Sequence, residues 1–224
     1  MNKPELVVTE HPIEESARRV ASALRAALVG REQVRLAVPG GSAAAVLSLL
    51  RDELGMADWN KVALTWVDER CVDFGDEDSN RGQAYRNGFL DPGWPPALEL
   101  PLFLDSDDPA GAKSRVMRVL QRDFDDRLDV VLLGMGGDGH VASLFPGREA
   151  PRGLVAVVED SPKPPPRRLT LTRRLLSTAS CTVLHATGEG KRDALKKLLA
   201  GDDSLPAAGI SGLVVVTDQE GLED

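Results

Sequence analysis

VVLLGMGGDGHVASLFPG, residues 130–147, decides the fold: an apolar run ends in four glycines that enclose one acid and are followed at once by a histidine. Val130 to Leu133 are apolar at every position, as in a central parallel strand covered on both faces. Gly134, Gly136, Gly137 and Gly139 then permit backbone paths closed to other residues, so this loop is able to lie directly against a ligand.

The same glycines spell GxGxxG from Gly134 to Gly139. A dinucleotide fingerprint also needs a helix straight after the loop and an acid about 20 residues on. Glu159 and Asp160 stand near that distance, but the helix fails. Only His140 to Phe145 remain before Pro146, Gly147 and Pro151 break the chain, too short a segment for an ordinary crossover.

Outward from this strand, strand and helix patterns alternate. Strands are expected at 6–9, 34–38, 62–67, 98–104, 130–133, 154–158, 181–187 and 213–217. Ile13, Ala17, Val20, Leu24 and Leu28 recur at helical spacing, and further helices are expected at 42–54, 80–90, 109–124 and 191–199. This alternation predicts an α/β fold, a Rossmann-like, mostly parallel sheet with helices on both faces. Ligands in such sheets bind at the carboxyl ends of the strands.

At 224 residues, 24.0 kDa and 42% hydrophobic, the chain has material for a full core, and no linker or repeat divides it. A single domain over residues 1–224 is expected. The first residues, MNKPELVVTEHPIEE, carry acids and no long apolar core, and no run of about 18 apolar residues occurs. A soluble, cytoplasmic protein follows as the expectation. Cys71 and Cys181 have no zinc or disulfide spacing and read as reduced thiols. A net charge of −8 argues against nucleic acid or an anionic membrane as partner. An anionic small molecule would need a local cationic pocket.

Four strand-end loops carry the chemistry. In the first, Pro39, Gly40, Gly41 and Ser42 join a strand to a helix. Bare amides there form an anion site, and Ser42 serves as helix cap, phosphate ligand or both; the loop has no Walker pattern. In the second, Asp68, Glu69 and Arg70 follow directly on a strand, either placed for work or merely solvated. Asp73, Asp76, Glu77 and Asp78 lack the spacing of a calcium loop and read as solvated.

The third loop holds His140, whose ordinary pKa near neutrality suits it to take a proton from water and return it to a leaving oxygen. Asp138 is a candidate for orienting the imidazole or contacting hydroxyls; capping or packing is the plain alternative for His140. His11, beside Pro12, and His185, within a strand, are poor candidates, and three scattered histidines make no metal site. The fourth region pairs SPKPPPRRLTLT, residues 161–172, with TGEGKRDALKKLL, residues 187–199. The prolines hold an extended segment suited to present Arg167 or Arg168, and Lys191 opens a helix. Phosphate recognition and simple solvation or docking both remain open for each motif alone.

Taken in order, PGGS, WVDERCV with a following SN, LGMGGDGHVASLFPG, SPKPPPRRLTLT and ATGEGK resemble the 6-phosphogluconolactonases, from the first helix to about Thr217. The resemblance implies hydrolysis of 6-phospho-D-glucono-1,5-lactone to 6-phosphogluconate, the second step of the oxidative pentose phosphate pathway, on a Rossmann-like sheet without a required cofactor or metal. It implies His140 as the base, with Arg70 offsetting charge at the reacting carbon. Gly40, Gly41, Ser42, Arg168 and Lys191 would hold the phosphate, and Asp68 and Asp138 the sugar hydroxyls or the base. The choice of Arg168 over Arg167 rests on the proline run. The implied partner is a phosphorylated sugar lactone, with no nucleic acid or membrane, and a monomer is expected.

Some positions depart from the family pattern. Ala43 and Ala44 stand where Thr-Pro is common, Val141 replaces a threonine, and the last strand lacks a tryptophan. The related glucosamine-6-phosphate deaminases usually carry a glutamate shortly after the histidine, whereas here no acid appears before Glu149. Related sugar-phosphate sensors carry a DNA-binding helix-turn-helix, for which the chain has neither length nor basic charge.

Overall fold

The computed structural model describes residues 3–222. In chain order the strands are β1 (Glu5–Val8), β2 (Val34–Val38), β3 (Val62–Trp66), β4 (Asp68–Arg70), β5 (Leu98–Leu100), β6 (Val130–Gly134), β7 (Val155–Val158), β8 (Arg168–Leu171), β9 (Cys181–His185) and β10 (Leu213–Thr217). The helices are α1 (Pro12–Leu28), α2 (Val46–Leu54), α3 (Met56–Trp59), α4 (Asn80–Arg86), α5 (Pro109–Asp123), α6 (Arg173–Leu176) and α7 (Arg192–Leu199).

Seven strands form one sheet in the order β1-β10-β9-β6-β2-β3-β5, with every neighbouring pair parallel. Side chains alternate between the two faces of a strand, and Val130 to Leu133 are all fully buried. Both faces of β6 are therefore covered, as its unbroken apolar run requires. On α1 the buried positions Ala17, Val20, Ala21, Leu24 and Leu28 form one stripe, and this helix packs on α2 and β9. Among the described residues no helix is long and apolar enough to cross a membrane.

The strand order fixes where a ligand fits. From β2 the chain runs outward through β3 towards the β5 edge; β6 then returns to the other side of β2, and β9 and β10 continue away from it. The loops leaving β2 and β6 part at this reversal, and a crevice opens at their carboxyl ends. The two loops are the PGGS segment and the glycine loop.

Sequence patterning missed a second sheet. β4, β8 and β7 make a three-stranded antiparallel ribbon in the order β4-β8-β7, so Asp68 to Arg70 is a strand rather than a strand-end loop. The strand expected at 154–158 belongs to this ribbon and not to the parallel sheet. The ribbon joins the main sheet at Val67, which is fully buried. Its N–H donates to Val38 O at 2.8 Å and its carbonyl accepts from the Leu171 N–H at 2.8 Å, one bond to each sheet. Other expected elements are shortened: the strand from Leu98 stops at Leu100 before Pro101, and the helix from Asn80 stops at Arg86. No helix follows the glycine loop, where residues 140–145 form turns around a bridge between Val141 and Leu144.

Candidate active site

The crevice contains a cavity of about 340 Å³ into which four loops converge. Gly40, Gly41, Ser42, Asp68, Arg70, His140, Arg168 and Lys191 all line it. Asp138 stands behind His140. A larger cavity, about 560 Å³, lies beyond Ser143 and Phe145 among Val157, Arg148, Glu149 and Pro206. It shares none of these eight residues and no histidine lines it, so the smaller cavity is the candidate site.

The histidine is held by close packing. His140 Nδ1 lies 2.5 Å from Asp138 Oδ1, and the Gly136 N–H donates to the His140 carbonyl at 2.8 Å. The imidazole centroid is 5.1 Å from that of Phe145. A Cβ on Gly136 would fall 2.1 Å from His140 Nδ1 and 2.5 Å from Asp138 Oδ1, so only glycine leaves room for this pair. A Cβ on Gly137 would meet Gly190 O at 2.7 Å. The glycines expected to approach a ligand thus also approach one another's loops. Ala142, at φ 52°, is held in the left-handed region, a strain that costs on the order of 1 kcal/mol or more and clusters at functional sites.

Burial pushes the His140 pKa below its ordinary value, against the opposing pull of Asp138. Burial raises the Asp138 carboxyl, but the His140 hydrogen bond and the nearby His140 and Lys163 charges hold it below its ordinary value. At neutral pH the pair is an anionic carboxylate and a neutral imidazole. A carboxylate at Nδ1 keeps the proton on that nitrogen and leaves the Nε2 lone pair as the base.

The charged side chains come from the ribbon, and strand alternation sorts them. Asp68 and Arg70 line the cavity, while Glu69 points the other way and is buried. The antiparallel register sets Arg70 against Arg168, which places both guanidinium groups on the cavity face and leaves Arg167 exposed. Arg168 is 3% exposed. Its Nε donates to Pro165 O at 3.1 Å, and its Nη2 donates to Lys163 O at 2.9 Å and Pro164 O at 3.1 Å. Its Nη1 sits 3.8 Å from Asp68 Oδ2. Arg168 therefore fixes the proline segment as well as lining the cavity. Arg70 also has a second attachment, donating from Nη1 to Asp78 O at 2.5 Å.

Asp68 ties loops together. Its Oδ2 accepts from Ser143 Oγ at 2.6 Å and its Oδ1 from Asn80 Nδ2 at 3.3 Å. Glu69 accepts backbone N–H bonds from Arg70, Asn80 and Arg81 at 2.8, 2.7 and 2.8 Å, clamping the start of α4. Burial pushes its carboxyl up to about 7 despite those bonds.

Ser42 does not cap a helix. It lies inside a 3-10 turn, Gly41–Ala45, whose preceding residue is Gly40, and no side-chain cap hydrogen bond forms. The first amides of such a turn have no partner within it, and Gly40, Gly41 and Ser42 line the cavity. Lys191 likewise closes a 3-10 turn, Glu189–Lys191, before α7. Sequence reading missed three residues here. Asn80 and Lys163 line the cavity, and Ser143 stitches the histidine loop to β4. The signal for Lys163 was its place between Pro162 and Pro164; Asn80 and Ser143 sat inside motifs already singled out, without a role.

Among the described residues no group of three or more His, Cys, Asp or Glu is placed to hold a metal ion. The arrangement instead offers a neutral imidazole base beside Arg70, Arg168 and Lys191 and a turn of free amides. It suits proton transfer on a small anionic substrate.

The model of the family Glucosamine-6-phosphate isomerases/6-phosphogluconolactonase matches residues 9–216. The 6-phosphogluconolactonase of Mycobacterium tuberculosis is 35% identical over 212 residues, covering 88% of this chain and 86% of that one. The 6-phosphogluconolactonase of Rattus norvegicus is 37% identical over 207 residues, covering 86% and 78%. The crystal structure of a 6-phosphogluconolactonase from Shewanella baltica superposes with a TM-score of 0.79 at 25% identity, covering 97% of each chain.

Proposed function

The chain belongs to the family of glucosamine-6-phosphate isomerases and 6-phosphogluconolactonases, and we infer that it hydrolyses 6-phospho-D-glucono-1,5-lactone to 6-phospho-D-gluconate, the second step of the oxidative pentose phosphate pathway. The observation that carries the mechanism is the 2.5 Å contact of His140 Nδ1 with Asp138, which leaves Nε2 as a base beside a cationic cavity.

Water, deprotonated by His140 Nε2, adds to C1 of the lactone. As the tetrahedral oxyanion collapses, the bond from C1 to the ring oxygen breaks and the imidazolium returns its proton to that oxygen. The products are a carboxylic acid, ionised at neutral pH, and a free hydroxyl. Arg70 and the loop amides offset charge on the oxyanion. The amides of Gly41 and Ser42, at the end of the PGGS turn with Gly40, bind the phosphate with Arg168 and Lys191, and this remote binding positions the lactone for attack. Asp68 holds the loops around the sugar, and Asp138 orients the base.

A deaminase reading is weaker, because the first acid after His140, Glu149, lines the other cavity. A single domain, a monomer and a cytoplasmic location belong to the same proposal. One hydrophobic core that runs through both sheets supports the single domain.

The test is hydrolysis of freshly made lactone above its spontaneous rate, with glucosamine 6-phosphate as control. Wild type should be active on the lactone alone, and His140→Ala should lose about 10²–10⁴-fold in kcat. Ammonia released from the amino sugar, or full turnover by His140→Ala, would overturn the reading.

A further inference from the structure

Besides presenting Arg168 to the cavity, the proline segment brings a lysine to the base. Lys163 Nζ lies 3.6 Å from Asp138 Oδ1, the oxygen that also holds His140 Nδ1 at 2.5 Å. We infer that Lys163 is a positioning residue for the histidine and aspartate. By sharing that oxygen, its ammonium keeps the pair as free imidazole and carboxylate while the cavity waits for substrate. The inference rests on the reading of His140 as base.

The lysine backbone is firmly held. Its carbonyl accepts from Arg168 Nη2 and from Ser161 Oγ, each at 2.9 Å, and the Ser161 N–H donates to Pro166 O at 3.0 Å across the turn. Pro162, Pro164, Pro165 and Pro166 further restrict the segment. The side chain is 47% exposed, so only the ammonium, at the end of a flexible stem, is free to move. Its root is fixed by the same arginine that lines the cavity.

A cation near an imidazole disfavours the imidazolium, and one near a carboxylate favours the carboxylate. Burial is the main cause of the lowered His140 pKa; Lys163 adds to it, and Asp138 and Asp68 oppose it. Other charges surround the base. Arg70, Arg168 and Lys191 line the same cavity, and Arg148 stands over the Phe145 ring that packs on the imidazole. Among the described residues, Lys163 is the one cation in an ion pair with Asp138 besides His140 itself. Lys163 lines the same cavity, so the test below separates its action on the pair from contact with substrate.

The experiment follows the imidazole protons by NMR as a function of pH in the free protein, alongside the pH profile of kcat/KM. Three histidines keep the spectrum simple, and His140→Ala assigns the resonance. In Lys163→Ala and Lys163→Met the His140 midpoint should move to higher pH, while Lys163→Arg keeps the wild-type midpoint. The kcat/KM deficit of Lys163→Ala should be roughly 3-fold to 10-fold larger near about pH 6 than near about pH 8, the effect of one charge in a partly solvated site. An unmoved midpoint in both neutral variants, with KM raised evenly at all pH values, would make Lys163 a substrate ligand and overturn the inference. A moved midpoint in a wild-type background inactive on the lactone would instead overturn the function and leave this charge coupling standing.

Discussion

The two sheets that meet at the cavity place their chemical groups by opposite means. β6 is apolar on both faces and ends in a glycine loop, where His140 and Asp138 are fixed by packing, their contact with one another and the backbone turn beneath them, with Lys163 as the one outside cation on Asp138 among the described residues. β4 and β8 carry charge within the strands, and there Asp68, Glu69 and Arg168 are each held by several hydrogen bonds. One half is exact because nothing else fits; the other is exact because many partners agree. A packed site fails at one added methyl group, whereas a networked site loses its precision by degrees.

Gly136→Ala is the most severe way to break that contrast. Its Cβ would overlap the His140 ring and the Asp138 carboxylate. The pair must then shift, and a misplacement near 1 Å is expected to cost about 10²-fold in kcat. Far-UV circular dichroism should stay native, so near-wild-type turnover in a folded variant would show that the dyad is not held by packing.

Glu69 gives the next largest effect and tests the networked half. Its folded-state value, about 7, lies above the ordinary 4.5. The protonated form therefore contributes stability that is fully present below about 4.5 and is lost as pH rises through about 7. Chemical denaturation of wild type and Glu69→Gln should show a stability difference that shifts against wild type across this interval. The change should be on the order of 3 kcal/mol in total. A pH-independent difference would mean that Glu69 titrates in the folded protein as it does in the unfolded chain.

The smallest expected effect comes from Ser143→Ala, which removes the stitch between the halves. Loss of a hydrogen bond to a carboxylate costs about 1.5–3 kcal/mol, read as a lower denaturation midpoint. If the stitch transmits alignment, kcat falls as well; if stability drops with kcat untouched, the two halves hold their geometry independently.

This contrast also explains what was legible in the sequence. β6 and its loop declared themselves through an unbroken apolar run and a cluster of glycines. The order PGGS, glycine loop, SPKPPP and GEGK brought Gly40, Gly41, Ser42, His140, Arg168 and Lys191 to one cavity. Of the ribbon only the strand near 155–158 was legible; Asp68–Arg70 and Arg168–Leu171, at three and four residues, carry too little periodicity to register. Charged residues are also poor strand formers on their own, and only the distant partner makes them one. That pairing hid the alternation that turns Asp68 and Arg70 inwards and Glu69 away. Ser42 shows the reverse error: local sequence suggested a cap, but the backbone entered a 3-10 turn and left the hydroxyl free.

Val67 has a consequence for how such a protein can be remade. Because Val67 joins the charged ribbon to the main sheet by a bond to each side, and Ser143 bonds Asp68 and Thr170 across the same junction, the ribbon behaves as a cassette plugged into a chassis at two points. Exchanging the rest of β4, β7, β8 and the proline segment, while keeping Val67, Asp68, Lys163 and the glycine loop, offers a route to new anionic substrates that leaves the proton-transfer machinery where it is.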